Sequence, residues 1–261
     1  MLYRLLLPVF LLLPGQLLAQ APSQAPGQAP GQKSTAIQEM NYEDCLGLAR
    51  TNPEEGFAQA QTWRATGGGL PASHCAALAL FQLGHYGDAA DKLESLIPEA
   101  ERQVPHLVPD ILSQAANAWL LANIPDRARK LLDIAVQAEP NRLDLRLDRA
   151  QTLAELNDYP AALADLDTAL SLDPTRDDAL ALRAAARRLT GDTNGAMEDA
   201  ELALALNRRN VEALLERGIL RAQAGDRKGA RADLIQVRII QPDGAAAEAA
   251  AKQIEAMDVK Q

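Results

Sequence analysis

Apolar and polar positions alternate along this chain with the period of a helix, and the pattern then repeats at a longer interval. Residues 159–172 read YPAALADLDTALSL, in which Ala162 and Ala169 lie on either side of Leu166 on one helical face. Polar side chains occupy the other face, and Pro174 follows shortly after, where a helix cannot continue. A similar amphipathic segment precedes this one, so the pattern predicts a pair of helices.

Three positions of this helix pair recur every 34 residues. One is an alanine of the second helix, one is the turn residue between the helices, and one opens the link to the next pair. Their members are Ala128, Ala162, Ala196 and Ala230; Asn123, Asn157, Gly191 and Gly225; and Pro140, Pro174, Arg208 and Pro242. Asn and Gly suit a turn with left-handed backbone, so the turn residues support the same period. A period of this length indicates an array of stacked helix pairs.

Small side chains also occupy the facing positions of the first helix in each pair. They are Ala116, Ala150, Ala184 and Gly218, and a further small position of the second helix is held by Ala135, Ala169 and Ala203. The distance between packed helices depends on the side chains at the contact, so these residues predict a close approach within each pair.

The pattern resembles the tetratricopeptide repeat (TPR), a helix pair with small residues at its eighth, twentieth and twenty-seventh places and a proline at its thirty-second. The resemblance covers four units, at 109–142, 143–176, 177–210 and 211–244. A divergent unit with an extended link precedes them at 71–108, a degenerate helix pair lies at 39–70, and a capping helix and tail follow at 245–261. The resemblance implies an all-α fold, a right-handed α-solenoid (TPR superhelix) of stacked antiparallel helix pairs with a C-terminal capping helix.

The same resemblance implies a binding surface on the concave side, which the first helix of each pair lines in this family. The corresponding residues are Asp110, Ser113, Asn117, Leu120, Asp144, Leu147, Gln151, Glu155, Asp178, Arg188, Leu189, Glu212, Leu215, Ile219 and Gln223. The implied function is a non-catalytic scaffold or adaptor that holds a peptide or helix of a partner protein in this groove. Two alternatives remain: the residues form only a solvated surface, or the solenoid is a self-associating structural component of an envelope or secretion assembly.

Arginine and aspartate form a second periodic pattern in the last three repeats. Arg149, Arg183 and Arg217 hold the seventh place, and Asp165, Asp199 and Asp233 hold the twenty-third. The two earlier units have neither residue at these places, so the two types occur together or not at all. The pattern predicts three ion pairs within repeats, which set the register of the helices rather than bind a ligand.

The N-terminal residues have the composition of an export signal. Arg4 is followed by an apolar run that ends at Leu13, and a small-residue exit follows at Ala19. This order is typical of a secretory signal peptide, so residues 1–19 are predicted to be cleaved and the protein to be periplasmic, with secretion as the alternative. An uncleaved membrane anchor is another interpretation of the same run. Residues 20–38, rich in Gln, Ala and Pro, predict a flexible spacer.

The two cysteines of the chain, Cys45 and Cys75, fit the same export prediction. An even number of cysteines in an exported protein favours a disulfide, which would join the first predicted helix to the third. Metal ligation together with His74 or His85 is the alternative, but further ligands at suitable spacing are not found in the sequence.

Charge and composition restrict the partner and the chemistry. The formal net charge is -9, and binding to phosphates requires a basic excess, so no nucleic-acid partner is expected. Motifs for phosphate binding, nucleophilic catalysis or a metal centre are not found, and the three histidines fall in separate predicted elements. We therefore expect no enzymatic activity and no cofactor. A protein or peptide partner is expected, membrane insertion after signal cleavage is not, and homo-oligomerisation remains open.

Overall fold

The computed structural model describes residues 40–259, which form thirteen α-helices, a short 3-10 helix at Pro105–Leu107 and no β-strand. The predicted signal peptide and spacer lie outside these residues. The helices are α1 (Tyr42–Thr51), α2 (Pro53–Ala65), α3 (Gly69–Gln82), α4 (Tyr86–Gln103), α5 (Val108–Leu121), α6 (Pro125–Ala138), α7 (Leu143–Glu155), α8 (Tyr159–Leu172), α9 (Asp177–Thr190), α10 (Thr193–Leu206), α11 (Val211–Gln223), α12 (Arg227–Ile240) and α13 (Ala245–Val259).

The helices stack as pairs. From α3 onward each odd-numbered helix packs on the even-numbered helix that follows it, and each even-numbered helix then packs on the next odd-numbered one. In addition, α5, α7, α9 and α11 contact one another in sequence. The described residues therefore form an all-α solenoid. Among them, no helix is both long and apolar enough to cross a bilayer.

The turns between paired helices have the left-handed backbone that their residues predict. The φ angles are +67° at Asn123, +63° at Asn157, +91° at Gly191 and +87° at Gly225. Residues of this kind tolerate positive φ, which reverses the chain sharply enough to lay the second helix against the first.

The close approach within pairs rests on the small side chains that recur along the sequence. Ala128, Ala162, Ala196 and Ala230 are fully buried. At Gly218 even one methyl group would be too large, because a Cβ there would lie 2.9 Å from Cγ of Leu234. Glycine at the eighth place of the last repeat is therefore a packing requirement of that pair.

The extended link of the divergent repeat 71–108 is partly helical. Helix α4 continues through Pro98 and ends at Gln103. A proline inside a helix costs about 3 kcal/mol because it removes a backbone hydrogen bond. Leu93, Leu96 and Ala100 keep a helical spacing across it and are buried, and this burial offsets the cost.

The C-terminal helix α13 covers the last repeat. It packs on α12 and α11, with Ala246, Ala249, Ala250 and Met257 buried in the same apolar cluster as α9 and α11. A terminal helix of this kind removes from water the apolar edge that an open solenoid would otherwise expose.

Candidate protein-interaction groove

The odd-numbered helices α3 to α11 form one side of the stack, which we call the inner wall; the even-numbered helices α4 to α12 form the outer wall. The inner wall carries all of the groove residues that the family resemblance implies. Nine of them are at least partly exposed: Asp110, Ser113, Asp144, Glu155, Asp178, Arg188, Leu189, Ile219 and Gln223. The accessible part of the wall is thus polar, with Leu189 and Ile219 as apolar contact points.

Six of the implied groove residues are buried, which corrects the expectation that the whole set lines an open surface. They are Asn117, Leu120, Leu147, Gln151, Glu212 and Leu215. Consecutive inner helices contact one another directly, so side chains near each joint pack against the neighbouring helix instead of facing solvent. The sequence pattern identifies the face of each helix but not how closely the next helix approaches.

Hydrogen bonds join α1 to the first two inner helices, α3 and α5. The hydroxyl of Tyr42 on α1 lies 2.5 Å from Nδ1 of His74 on α3, and Nε2 of His74 lies 2.6 Å from Oε1 of Gln114 on α5. Burial lowers the pKa of His74, so a neutral imidazole is favoured, with Nε2–H donating to Gln114 and Nδ1 accepting from Tyr42. Sequence reasoning missed this series of hydrogen bonds, because its three residues lie far apart in the sequence.

Asp148 and Arg142 organise the joint between α5 and α7, and neither was predicted as a site residue. The Asp148 carboxylate accepts hydrogen bonds from the Ser113 hydroxyl and from Nδ2 of Asn117. Burial raises the pKa of Asp148 to about 6, although these two hydrogen bonds act in the opposite direction. Arg142 donates to both Asp110 and Asp144 and so bridges two successive repeats.

At the joint between α9 and α11, one ion pair is fully formed and one carboxylate is left without a cation. Arg188 donates to both carboxylate oxygens of the buried Glu216, at 2.5 and 3.1 Å. Glu212, one turn earlier on α11, is also buried, and no cation of the described residues forms an ion pair with it. Burial raises the pKa of the Glu212 carboxyl, and the nearby charges of Asp177 and Asp178 add to the effect.

The periodic arginines and aspartates lie between the inner and outer helices, away from the groove. Each aspartate is buried and accepts from the arginine of its own repeat, at 2.7 Å for Arg149–Asp165 and 2.8 Å for both Arg183–Asp199 and Arg217–Asp233. A second guanidinium reaches each carboxylate, from Arg146, Arg187 and Arg221 respectively. Sequence reasoning missed this second arginine of each repeat. The sequence does contain a signal for it: the second arginine lies three or four residues from the periodic arginine, which places both arginines on one helical face.

The outer wall carries most of the exposed large apolar residues of the described helices. They include Ile134 on α6, Leu202 and Leu206 on α10, and Ile235 and Ile239 on α12. A cavity of about 420 Å³, lined by Glu201, Leu204, Ala205, Arg208, Leu214 and Arg217, opens where α10 meets α11.

Cys45 on α1 and Cys75 on α3 lie at disulfide-bonding distance, with their Cα atoms 6.1 Å apart at a sequence separation of 30. Both are fully buried in the apolar cluster of the first three helices. In the described residues, no group of three or more His, Cys, Asp or Glu side chains has the arrangement of a metal site.

Comparison with known proteins relates part of this chain to a known repeat family. Residues 120–187 match the family model described as the tetratricopeptide repeat. A search of curated proteins finds no match. Taken together with the 34-residue period and the stacked helix pairs, this match supports a protein of the tetratricopeptide-repeat family.

Several solved structures share the fold at low sequence identity. A tetratricopeptide repeat protein from Parabacteroides merdae ATCC 43184 superposes with a TM-score of 0.66 at 14% identity, over 85% of this chain and 86% of its own. MamA from Desulfovibrio magneticus RS-1, from residue 41 onward, gives 0.55 at 18% identity, over 66% and 95%. YrrB, described as a TPR protein with an unusual peptide-binding site, gives 0.50 at 19% identity, over 69% and 91%.

Proposed function

We propose that this protein is a non-catalytic scaffold whose inner wall holds a peptide or helix of a partner protein. The observation that supports this most directly is the character of the wall. Polar side chains are exposed along its length, and Leu189, with 39% of its surface exposed, and Ile219 offer apolar contacts among them. Exposed apolar side chains within a polar rim are the usual composition of a protein-binding surface. YrrB, which shares the fold, is described as binding a peptide.

We further propose that the protein works in the cell envelope after export. The support is the signal-like segment of residues 1–19 and a pair of cysteines at bonding distance, because disulfides persist mainly outside the cytosol. Cell fractionation with an alkylation assay tests this: a mature chain shortened by about nineteen residues, in the periplasmic fraction and without free thiols, is expected. A full-length chain with two alkylated cysteines in the cytosol would contradict it.

Self-association is the second candidate function, and the outer wall is what favours it. Leu202 and Leu206 on α10 and Ile235 and Ile239 on α12 expose apolar surface at helical spacing. A second copy of the chain could cover such residues. Size-exclusion chromatography with light scattering, over a range of concentrations, distinguishes the candidates, because this alternative requires an oligomer that persists on dilution.

Paired photo-crosslinking tests the scaffold proposal in the native cell. Crosslinkers at Leu189 and Gln223 probe the inner wall, and crosslinkers at Leu202 and Ile239 probe the outer wall with comparable exposure. We expect a partner protein to be captured from the inner wall, and Leu189→Arg to lower that capture severalfold. Leu202→Arg is the matched control, because it adds the same charge to the outer wall. Capture from the outer wall alone, lost in Leu202→Arg, would contradict the proposal.

A further inference from the structure

One carboxylate of the inner wall lacks the cation that its counterparts in other repeats have. The second place of each repeat holds Asp110, Asp144, Asp178 and Glu212. Arg142 donates to both Asp110 and Asp144, and Arg176 donates to Asp178 at 2.6 Å. Each arginine lies two residues before a second-place carboxylate, in the link between repeats. The chain therefore supplies its own cation to three of the four carboxylates.

The link before Glu212 breaks this pattern with a neutral residue. Asn210 stands where Arg142 and Arg176 stand in earlier repeats. Its side chain caps α11 by accepting from the backbone N–H of Ala213 at 2.8 Å, and it donates to Asp177 at 2.8 Å. Asn210 thus has two local partners and contributes no charge to the Glu212 carboxylate.

The position of Glu212 makes the missing cation costly. Only 9% of the residue is exposed, and its carboxylate accepts a hydrogen bond from its own backbone N–H. The charges acting on it are those of Asp177 and Asp178, at the N-terminus of α9, which are also negative. A desolvated carboxylate beside two other carboxylates is a strong attractor for a positive group, because the attraction is weakly screened there.

The charges of the surrounding wall point the same way. The inner helices α5, α7, α9 and α11, with the links 139–142, 173–176 and 207–210, carry ten carboxylates and five arginines that do not pair with the buried aspartates of the outer helices. The carboxylates are Asp110, Glu139, Asp144, Asp148, Glu155, Asp173, Asp177, Asp178, Glu212 and Glu216, and the arginines are Arg142, Arg176, Arg188, Arg208 and Arg209. A partner segment that lies along this wall meets a negative field, which favours basic residues and disfavours acidic ones.

We propose that the joint between α9 and α11 binds a lysine or arginine side chain of the partner segment, which takes the place beside Glu212 and Asp178 that Arg142 and Arg176 hold in the earlier repeats. The inference rests on the proposed function, because it names the chemistry of the segment that the inner wall holds. A metal ion is a poorer occupant, since the described residues contain no cluster of metal-binding geometry.

A random decapeptide display library tests the proposal without knowledge of the natural partner. The wild-type protein is the bait, and the selected peptides are sequenced and remade with a photo-crosslinker. We expect enrichment of Lys and Arg, crosslinking to the inner wall, and binding that weakens steeply as salt is raised. Replacing the selected lysine with norleucine should weaken binding about tenfold, as expected for the loss of one charged contact.

Two substitutions locate the effect. Glu212→Gln should weaken binding of the lysine peptide about tenfold, because the negative charge that the lysine contacts is gone. Binding of the norleucine peptide should be unchanged. Asn210→Arg should do the same by supplying the cation from within the chain, as the earlier repeats do. Glu198→Gln, at an exposed carboxylate of α10 on the outer wall, is the charge-matched control and should change neither peptide.

The outcomes distinguish a failure of the cation site from a failure of the scaffold proposal. Selected peptides that crosslink to the inner wall but are neutral or acidic would overturn the cation site and leave the scaffold proposal standing. A lysine peptide that is equally affected by Glu212→Gln and Glu198→Gln would also overturn the site. If no selected peptide crosslinks to the inner wall, or Leu189→Arg has no effect on those that bind, the proposed function itself fails. Circular dichroism melts check that each variant is folded.

Discussion

The two halves of the solenoid hold the same stacking together by different means. In the repeats formed by α7 to α12, each buried aspartate accepts from two arginines, and the arrangement recurs three times. In α1 to α6 no such cluster is built, since the equivalent places of the repeat 109–142 hold Ala115 and Leu131, both buried. There the contacts are individual: Cys45 lies at bonding distance from Cys75, His74 hydrogen-bonds to Tyr42 and Gln114, and Arg127 stacks 3.7 Å over the Trp119 ring while it donates to Glu94.

This difference shows why arginine and aspartate occur together or not at all. A buried carboxylate without a cation is costly, whereas a buried apolar residue at the same place has no such requirement. A repeat that loses one partner is therefore destabilised until the other is lost as well. The N-terminal half, with apolar residues at these places, depends instead on contacts that bridge distant parts of the sequence.

The largest effect is expected from removing a buried aspartate of the C-terminal half. Asp199→Ala leaves Arg183 and Arg187 without their shared acceptor, so the free energy of unfolding should fall by about 4 kcal/mol. Asp167→Ala is the matched control, because Asp167 also pairs with Arg183 but is 60% exposed, and it should cost less than about 1 kcal/mol. Urea denaturation measures both. Equal losses would show that burial does not distinguish the two pairs.

Removing the cysteine pair of the N-terminal half should have a slightly smaller effect. A disulfide between Cys45 and Cys75 closes a loop of about 30 residues, which corresponds to a stabilisation of about 3 to 4 kcal/mol. Cys75→Ser, or a reductant added to the wild type, should lower the free energy of unfolding by about 3 kcal/mol, and limited proteolysis should then begin near α1. Denaturation curves that coincide with and without reductant would contradict this expectation.

Replacing Asp148, which lies at the junction of the two halves, with asparagine should raise the free energy of unfolding. Burial raises the pKa of Asp148 to about 6 from an ordinary value near 3.8, so the folded protein holds this proton more tightly than the unfolded chain. Stability contributed by the protonated form is therefore lost as pH rises from about 4 to 6. Asp148→Asn should raise the free energy of unfolding by about 2 kcal/mol at pH 7.5 and have little effect at pH 4.

The difference between the wild-type and Asp148→Asn curves isolates this carboxyl from other groups that titrate, His74 among them. Asp144→Asn is the control at a neighbouring, exposed carboxylate that pairs with Arg142, and it should lower stability by less than about 1 kcal/mol at neutral pH. A difference curve that is flat between pH 4 and 7.5 would show that Asp148 titrates normally in the folded protein.

The smallest expected effect on stability concerns Glu212, in the last repeat. The pKa of its carboxyl is raised, so the ionised form destabilises the fold at neutral pH, and Glu212→Gln should leave stability unchanged or higher. The C-terminal half then contains buried carboxylates that are paired with arginines and one buried carboxylate, that of Glu212, that has no cation. A clear loss of stability in Glu212→Gln, measured by urea denaturation, would show that the carboxylate already has a stabilising partner within the chain.

Much of the fold was predictable because the residue type at each periodic position follows from the turn, the packing contact or the ion pair at that position. The left-handed turns at Asn123 and Asn157, the alanines that face each other within pairs, and the arginine and aspartate of each late repeat all follow from residue type and spacing. Helix α4 continues through Pro98 because the burial of Leu96 and Ala100, on either side of the proline, outweighs its cost.

The sequence by itself determined the period, the helix pairs and the face of each helix, because these depend on residue type and on spacing along the chain. Only the tertiary structure decided which residues of that face remain accessible, since this depends on how closely successive inner helices approach. It brought Ser113 to Asp148 and Tyr42 to His74, and it added a second arginine to each buried aspartate. It also left Glu212 without a cation, because a neutral Asn210 matters only once the link lies beside the next helix.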